Sequence, residues 1–438
     1  MPLPSCWHFI ATMCNSSAFP PYDPRMYPPA RLTADLVRKV HGNTTAENTK
    51  INAARCLHAF AAPAHVKVFG GAAVPLIRPA RHDAQIHGPD GLGGVEGLPS
   101  GDSDPVRERI DDGRPAIEAI AAAIAERTRT VTSDSGAGGT RPAITIIASG
   151  PLTNIALFVS VYPHLLDAVE RIVFMGGGIG IGNRSAVAGG APLFFFFFCS
   201  FFSPSSFVPF GFVGLTFDIW QNSTSCAIVS FFFILFSFSF LHTQNVIFFF
   251  FCIVFSSTAE AAQIVLNAPV PKTMIPLNVT HKAIVTDSIH VRLTNSTPHD
   301  ASPKVASSQL RHTLSTLISF FKESYKNAFR FIDGPPLHDA LTIAYVSRPE
   351  LFTMRRYKVD VELTGTHSSG QTVADVWGYS KADDTWGRTG KNCEVAEDLD
   401  VCTVSCFCLC MLTSALARSQ HFSSCSLIAW RDATGYRR

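Results

Sequence analysis

Residues 144–183 of this chain, ITIIASGPLTNIALFVSVYPHLLDAVERIVFMGGGIGIGN, contain the pattern that decides the fold. Residues 144–148 are a short β-branched run, which is typical of a strand buried on both faces of a sheet. Apolar residues at helical spacing predict a helix over 152–162, which Pro163 ends before a second short helix. Residues 171–175 then form another buried strand. This βαβ order predicts two parallel strands in one sheet.

The remaining pattern predicts an α/β protein built around this unit. A chain of 438 residues can bury a large core. Apolar periodicity predicts helices over 44–60, 115–127, 260–266, 313–331 and 340–346. Short apolar runs predict strands over 66–69 and 273–279. The glycine-rich stretch 82–94 predicts a loop at the mouth of a ligand site. We predict one domain with a mostly parallel, open, Rossmann-like sheet and helices on both faces. Ligands of such sheets bind beyond the carboxyl ends of the strands, here 150–154 and 175–183.

Composition and charge exclude several classes of protein. The net charge is +2 and the basic residues are scattered, so no nucleic acid polymer is expected as a partner. The cysteines lack the spacing of a disulfide framework, and the cluster at 402–410 lacks the paired C-x₂-C of a zinc site. Residues 1–31 are proline-rich and do not form a signal peptide. A cytoplasmic location is therefore the expectation.

A phenylalanine-rich segment interrupts the chain. Between 185 and 259 the only formal charge is Asp218, and 22 of the 35 phenylalanines lie between 194 and 255. Pyrimidine-rich nucleotide tracts encode such runs, so one interpretation is a retained intron. The apolar runs 228–241 and 246–255 also allow a membrane hairpin, although each is shorter than the ~20 residues that span a bilayer. An ordinary surface insertion is the third interpretation, and a membrane partner is not our expectation.

The βαβ unit within residues 144–183, which we call the organising unit, resembles a known protein family. GPLTNIAL at 150–157, RIVFMGG at 171–177 and GN at 182–183 resemble the inosine/uridine-preferring nucleoside hydrolase family. Three further stretches agree with it in order: VHGNTTAENTKINAARCL at 40–57, PLIRPARHDAQIHGPDGLGG at 75–94 and PPLHDALTIAY at 335–345. The resemblance implies a nucleoside hydrolase-like fold, a small-molecule nucleoside as substrate, and calcium-dependent hydrolysis of purine or pyrimidine ribonucleosides to base plus ribose. It also implies a homo-oligomer as one form of assembly.

The resemblance assigns the chemistry to one pair of residues. It implies that His338 donates a proton to the leaving base, a task that suits an imidazole near neutral pH. It implies that Asp339 and the backbone carbonyl of Thr153 bind calcium, which takes six to eight oxygen ligands. The residues alone allow another interpretation, in which Asp339 and Thr153 cap helices and His338 is a satisfied loop residue.

The resemblance also assigns contacts to the substrate. Asn43 and Asn183 would hydrogen-bond the sugar, Met175 would lie against the ribose, and His87 would lie near the base at the mouth of the site. If residues 216–222 are a fragment of the family pattern, Asp218 stands where the family has an amide and would contact the substrate; chance similarity is the alternative. Turn or core positions are the alternative for the asparagines and Met175, and a solvated loop position is the alternative for His87.

One part of the family pattern is missing. The family opens with a buried strand and a D-x-D-x-x-x-D-D turn whose carboxylates hold the calcium ion. Here Asp23 and Asp35 are the only acidic residues before Glu47. The resemblance therefore implies that calcium is weakly held.

These observations divide the chain into an irregular N-terminal segment, two hydrolase-like parts separated by the insertion, and an aberrant tail, at 1–31, 32–188, 189–257, 258–400 and 401–438. Three hypotheses for its function follow. The first is a nucleoside hydrolase. The second is a non-catalytic remnant or a faulty gene model of that family. The third is a membrane-anchored protein.

Overall fold

The computed structural model describes most of the predicted hydrolase-like region. The described residues are 33–34, 36–39, 42–80, 82–134, 144–180, 245–249, 255–294, 306, 308–366, 368–401 and 403–404. The predicted segment 1–31, most of 189–257 and most of the tail lie outside them. Two of the predicted site residues, Asn183 and Asp218, also lie outside the described residues.

The described strands are β1 to β12, which in chain order are Thr33–Ala34, Leu36–Lys39, Lys67–Gly70, Ile110–Asp111, Ile144–Ala148, Val169–Met175, Asn245–Phe249, Lys272–Ile275, Phe352–Tyr357, Val359–Val361, Thr372–Ala374 and Cys393–Leu399. The described α-helices are α1 to α10, which in chain order are Ala46–Ala59, Ala84–His87, Asp104–Arg107, Ala116–Asp134, Thr153–Val161, Phe255–Asn267, Leu277–Thr280, Asp287–Thr294, Gln309–Phe329 and Ala340–Ser347. Two 3₁₀ turns, Pro163–Ala168 and Pro349–Leu351, precede strands β6 and β9.

The main sheet has seven strands in the order β1-β7-β5-β6-β8-β12-β9. Strands β5 and β6 pair in parallel with Ile146 opposite Ile172, which confirms the predicted βαβ unit. Strand β9 is antiparallel to β12 and closes one end of the sheet, so the sheet is mostly parallel. A three-stranded parallel sheet, β2-β3-β4, packs beside β7.

Alternate residues of the central strands face two separate cores. Ile147 of β5, Val173 of β6 and Ile275 of β8 pack with α1, α9 and α10. Their neighbours Ile146 and Phe174 pack with α4, α5 and α6 in the second core. Because successive side chains of a strand point to opposite faces, these two cores place helices on both faces of the sheet, as predicted.

The structure differs from the sequence prediction after β8. The strand predicted over 273–279 ends at Ile275, and the short helix α7 begins at Leu277. Pro276 stands between them at the N-cap of α7, with φ −84° and ψ 162°. Proline has no N–H to donate to the ladder, and its restricted φ suits the start of a helix, so the chain turns from strand to helix at this residue.

Part of the phenylalanine-rich segment is a strand of the main sheet. Strand β7 (Asn245–Phe249) pairs in parallel with β1 on one side and with β5 on the other. Its uncharged, apolar sequence, NVIFF, suits the interior of a parallel sheet, where both faces are covered. Helix α6 then begins at Phe255 and has non-helical backbone at Thr258 (φ −127°, ψ 22°). Residues of the predicted insertion thus contribute a strand between β1 and β5.

None of the helices in the described ranges combines the length and the apolar composition needed to cross a bilayer. The longer of the two apolar runs in the hairpin interpretation, 228–241, lies outside those ranges.

The position of β7 predicts the effect of a proline in the middle of this strand. Ile247 lies opposite Ile146 of β5, so Ile247→Pro removes a ladder N–H from the sheet interior. We expect a loss of stability on the order of 3 kcal/mol, measured by urea unfolding of the full chain, because proline breaks regular hydrogen-bonded structure. Ile247→Val, which keeps the β-branched side chain and the N–H, is the matched control. Equal stability of the two variants would show that β7 does not belong to the sheet.

Candidate active site

Most of the described site residues follow strands at the carboxyl edge of the sheet. Asn43 follows β2, Thr153 begins α5 shortly after β5, and Met175 is the last residue of β6. Thr280 ends α7, which follows β8. Parallel strands bring their carboxyl ends to one edge, so Thr153, Met175 and Thr280 share the place where ligands of such sheets bind, whereas β2 belongs to the smaller sheet.

His338 and Asp339 reach this edge through a short backbone pairing. The Leu337 N–H donates to the Ala283 carbonyl at 2.7 Å, and the Val285 N–H donates to the Pro335 carbonyl at 2.9 Å. The loop before α10 is thereby held against the segment that follows α7. His338 and Asp339 are each 1% exposed at the start of α10.

A cluster of polar and aromatic side chains surrounds the His338 ring. Its Nδ1 lies 2.7 Å from Thr280 Oγ1. The rings of His281 and Tyr325 lie 5.3 Å and 6.1 Å from it, centroid to centroid. Its Nε2 is buried and has no hydrogen-bond partner among the described residues. One nitrogen of His338 is therefore held by the protein, and the other is available to a ligand.

Burial controls the charge of these histidines. Burial lowers the pKa of His338 well below its usual 6.5, and the nearby His281 and His87 lower it further. Burial lowers the pKa of His281 to about 4. Both imidazoles are therefore neutral at pH 7 in the free protein, because removal from water penalises the charged form.

Asp339 is a buried carboxylate that the adjacent helix does not use as a cap. It occupies the N-cap position of α10, yet its side chain makes no capping hydrogen bond. Its backbone carbonyl accepts from the Thr342 N–H at 3.0 Å and from the Thr342 hydroxyl at 2.6 Å. Helix capping by the side chain, the alternative interpretation of the sequence, therefore does not explain this residue.

Asn43 presents a buried, unused amide. Its side chain is 3% exposed, and neither Oδ1 nor Nδ2 has a hydrogen-bond partner among the described residues. The backbone holds it in place, because the Asn43 carbonyl accepts from the Asp83 N–H at 2.8 Å and the neighbouring Gly42 carbonyl lies 2.8 Å from His82 Nδ1. A buried amide without partners is costly in an otherwise closed core, so this position suits a polar ligand.

His87 connects the Asn43 loop to His338. It ends the short helix α2, so the segment predicted to be a loop over 82–94 contains a helical turn. Its side chain is fully buried, with the ring 5.5 Å from that of Phe321. The solvated loop position, the alternative that the sequence allowed, therefore does not apply. The backbone N–H of His87 donates to the Asp83 carbonyl at 3.0 Å. The His87 imidazole is close enough to His338 to lower the pKa of His338.

Thr153 and Met175 are buried residues of the organising unit. Thr153 is the first residue of α5, whose N-cap is Leu152, and it has no exposed surface. The next residue, Asn154, accepts the Ala72 N–H through its Oδ1 at 2.9 Å, which ties this turn to the chain after β3. Met175 is 6% exposed and pairs with Ile275 of β8.

Sequence reasoning did not assign a role to Thr280 or His281, although both contact His338. The sequence signal for them is Pro276, which turns the chain out of β8 and into α7. No local sequence pattern predicts their contacts with His338, because His338 lies nearly sixty positions further along the chain.

The described residues do not fit a calcium site. Calcium takes six to eight oxygen ligands, usually several of them carboxylates. Within the described ranges, no group of three or more histidine, cysteine, aspartate or glutamate side chains is placed to hold a metal ion. Asp339 and Thr153, the two ligands that the resemblance implies, supply too few oxygens for this ion.

The fold is that of an α/β protein with a mostly parallel sheet, and its candidate site contains buried imidazole, carboxylate and amide groups. The model of the inosine-uridine preferring nucleoside hydrolase family matches residues 30–189 and 255–405. The chain belongs to this nucleoside hydrolase family. The residues between the two matched ranges include most of the phenylalanine-rich segment.

Several known proteins are similar to this chain. A probable ribonucleoside hydrolase of Dictyostelium discoideum is 27% identical over 367 residues, which cover 83% of this chain and 82% of that protein. A pyrimidine-specific ribonucleoside hydrolase of Shewanella woodyi is 27% identical, over 77% of this chain and 78% of that protein. Among solved structures, a purine-preferring ribonucleoside hydrolase from Gardnerella vaginalis matches with a TM-score of 0.58 at 19% identity, over 87% of this chain and 90% of that chain. A plant nucleoside hydrolase matches with a TM-score of 0.58 at 20% identity, over 87% and 91%. The structural matches establish the fold.

The glycine-rich loop after His87 provides a test of how the site is held. Gly93 and Gly94 have φ of +64° and +67°, so alanine is strained at either position. A Cβ on Gly93 would lie 2.2 Å from the Phe320 ring, whereas one on Gly94 would meet nothing within 4 Å. We expect Gly93→Ala to destabilise the protein by about 1–3 kcal/mol more than Gly94→Ala, through overpacking alone.

Urea unfolding of both variants measures this difference. The Gly93 N–H also donates to the His87 carbonyl at 2.8 Å, so the same clash should displace His87. Equal unfolding midpoints for the two variants would contradict the packing of this loop against α9.

Proposed function

We propose that this chain hydrolyses the N-glycosidic bond of purine or pyrimidine ribonucleosides and releases the base and ribose. A water oxygen bonds to the anomeric carbon, the carbon–nitrogen bond breaks, and the base takes up a proton. Such reactions pass through an oxocarbenium-like sugar, so the site must stabilise positive charge and protonate the base. The observation that carries the proposal is the buried His338–Asp339 pair, with its unpartnered imidazole nitrogen.

We assign the proton donation to His338. Its Nε2 is buried and without a protein partner in the described part of the chain, and Thr280 holds the opposite side of the ring. A ring that is anchored through one nitrogen can present the other to a leaving group in a defined direction. General acid catalysis of this kind contributes about 10²–10⁴ in rate.

The other described residues are assigned by the charge and polarity that each one offers. The carboxylate of Asp339, adjacent to His338, stabilises positive charge that develops on the sugar. The amide of Asn43 hydrogen-bonds the ribose hydroxyls, and Met175 packs against the ribose. His87 lies toward the base. All four residues are buried, which would keep bulk water away from the reacting bond.

Asn183 and Asp218 remain part of the proposal as further sugar contacts. Both lie outside the described residues, and their support is their place in the sequence pattern. A cytoplasmic location and assembly into a homo-oligomer complete the proposal, on the grounds of composition and family.

Calcium is at most a weakly bound component in this proposal. The family resemblance favours calcium as the ion that activates water, whereas the described donors are too few to hold it firmly. A hydrolase that lacks a firmly held metal and an identified general base should turn over slowly, because each contributes separately to the rate. Hydrolysis at a low rate is therefore the expected behaviour of the full chain.

Replacing His338 tests the assignment of the proton donor. His338→Gln keeps a polar side chain of similar length but removes the proton-transfer group, so we expect kcat for inosine and uridine to fall at least ~100-fold. His312→Gln is the control, since His312 is 45% exposed and paired with Glu96 on the surface. Initial rates of base release measure both variants. A His338→Gln variant that retains the parental kcat would refute the assignment, and a full chain that binds nucleoside without any hydrolysis would favour the non-catalytic remnant.

The weak calcium site predicts a weak calcium response. We expect half-saturation no tighter than about 1 mM, the range of low-affinity calcium modules, because few oxygen ligands are present. Isothermal titration of the full chain with calcium, alongside Asp339→Asn, measures the affinity and tests the part that Asp339 plays in it. A micromolar dissociation constant that the substitution abolishes would show that the ion has a complete set of ligands.

A further inference from the structure

The hydrogen bond between Thr280 and His338 carries an inference that rests on the proposed function and extends it. The two residues are 58 positions apart, and their contact is 2.7 Å long and buried. Thr280 has no exposed surface and belongs to α7, which Pro276 separates from strand β8. A contact so short and so well enclosed restricts both the position of the ring and the placement of its hydrogens.

The Thr280 hydroxyl has one hydrogen and two groups that could receive it. One is the Leu277 carbonyl, at 3.2 Å on the preceding turn. The other is His338 Nδ1. A threonine in a helix commonly donates to the carbonyl three or four residues before it. When Thr280 does so, its oxygen lone pair faces Nδ1 and can accept a hydrogen from it.

The other side of the ring favours the same arrangement. If Thr280 donated to Nδ1, a neutral His338 would carry its hydrogen on Nε2, which is buried without a hydrogen-bond partner among the described residues. A buried N–H without an acceptor is rarer than a buried lone pair without a donor. A hydrogen on Nδ1 leaves only a lone pair at Nε2 and satisfies every N–H of the ring.

We infer that Thr280 is a positioning residue that holds His338 in the Nδ1–H tautomer and leaves Nε2 as the nitrogen that exchanges a proton with the nucleobase. The relay runs from His338 Nδ1–H to the Thr280 oxygen, and from the Thr280 O–H to the Leu277 carbonyl. In this relay His338 and Thr280 each donate one hydrogen bond, and the Leu277 carbonyl only accepts.

The relay also determines what changes during the proposed reaction. The neutral Nδ1–H tautomer has no hydrogen on Nε2, so this nitrogen first takes up a proton from solvent. The Nε2–H bond formed in that step breaks as the new N–H bond of the base forms, and its electron pair returns to Nε2. The Nδ1–H bond is unchanged throughout. The attacking water loses one proton to solvent as its oxygen bonds to the sugar, and this proton replaces the one that Nε2 took up, so nucleoside plus water gives base plus ribose with no further reactant.

The tautomer is measured directly by two-bond ¹H–¹⁵N correlation spectra of the full chain, labelled with ¹⁵N-histidine. Comparison with His338→Gln identifies the His338 signals. We expect the Nδ1–H pattern in the parent chain, its retention in Thr280→Ser, and its loss in Thr280→Val, which is nearly isosteric with threonine but has no hydroxyl. An Nε2–H pattern for His338 in the parent chain would overturn the inference, whatever Thr280→Ser and Thr280→Val show.

Kinetics provide a second readout that a purely structural role would not produce. We expect Thr280→Val to lower kcat for inosine about tenfold with little change in KM, and Thr280→Ser to restore it, because one neutral hydrogen bond is lost and regained. Equal losses in Thr280→Ser and Thr280→Val would contradict a role for the hydroxyl. If the parent chain hydrolyses no nucleoside, the proposed function fails, while the tautomer spectra still decide the role of Thr280.

Discussion

Parallel pairing of the central strands is the constraint on which the rest of the structure depends. Because β5, β6 and β8 run in the same direction, the chain must leave all three at one edge before it returns along a helix. Every such exit delivers a turn to the same place. Residues that are far apart in the chain, such as Thr153, Met175 and Thr280, therefore converge without any direct pattern linking them.

Burial determines the charge and the hydrogen-bonding needs of the side chains at this edge. The imidazoles of His87 and His338, the carboxyl of Asp339 and the amide of Asn43 are almost without solvent exposure, and burial favours the neutral form of His338. Polar atoms in such surroundings need hydrogen-bond partners. The side-chain Oδ1 and Nδ2 of Asn43 and the Nε2 of His338 have none among the described residues. A ligand with hydroxyl groups and a heteroaromatic base would satisfy both kinds of atom, which is why the geometry suits a nucleoside.

Away from this edge, a buried charged group has all its hydrogen-bond partners within the protein. Lys272 is fully buried at the start of β8, where burial lowers its pKa to about 7. Its ammonium donates to the carbonyls of Leu266 and Ala268 at the end of α6 and to that of Trp386. Here the protein supplies all the partners itself, so the group stabilises the fold and leaves nothing for a ligand. The buried polar atoms of Lys272 therefore have protein partners, whereas those of Asn43 have none among the described residues.

The sequence by itself determined the α/β class, the βαβ unit and the family, because β-branched runs, helical periodicity and ordered motifs are local properties of the chain. The sequence also identified His338 and Asp339 as candidate site residues, since their motif is contiguous. Only the tertiary structure decided that Thr280 contacts His338, that His87 is buried and that β7 enters the sheet. These facts depend on which distant segments pack together, and packing follows from the exclusion of water by the whole fold, which no local stretch encodes.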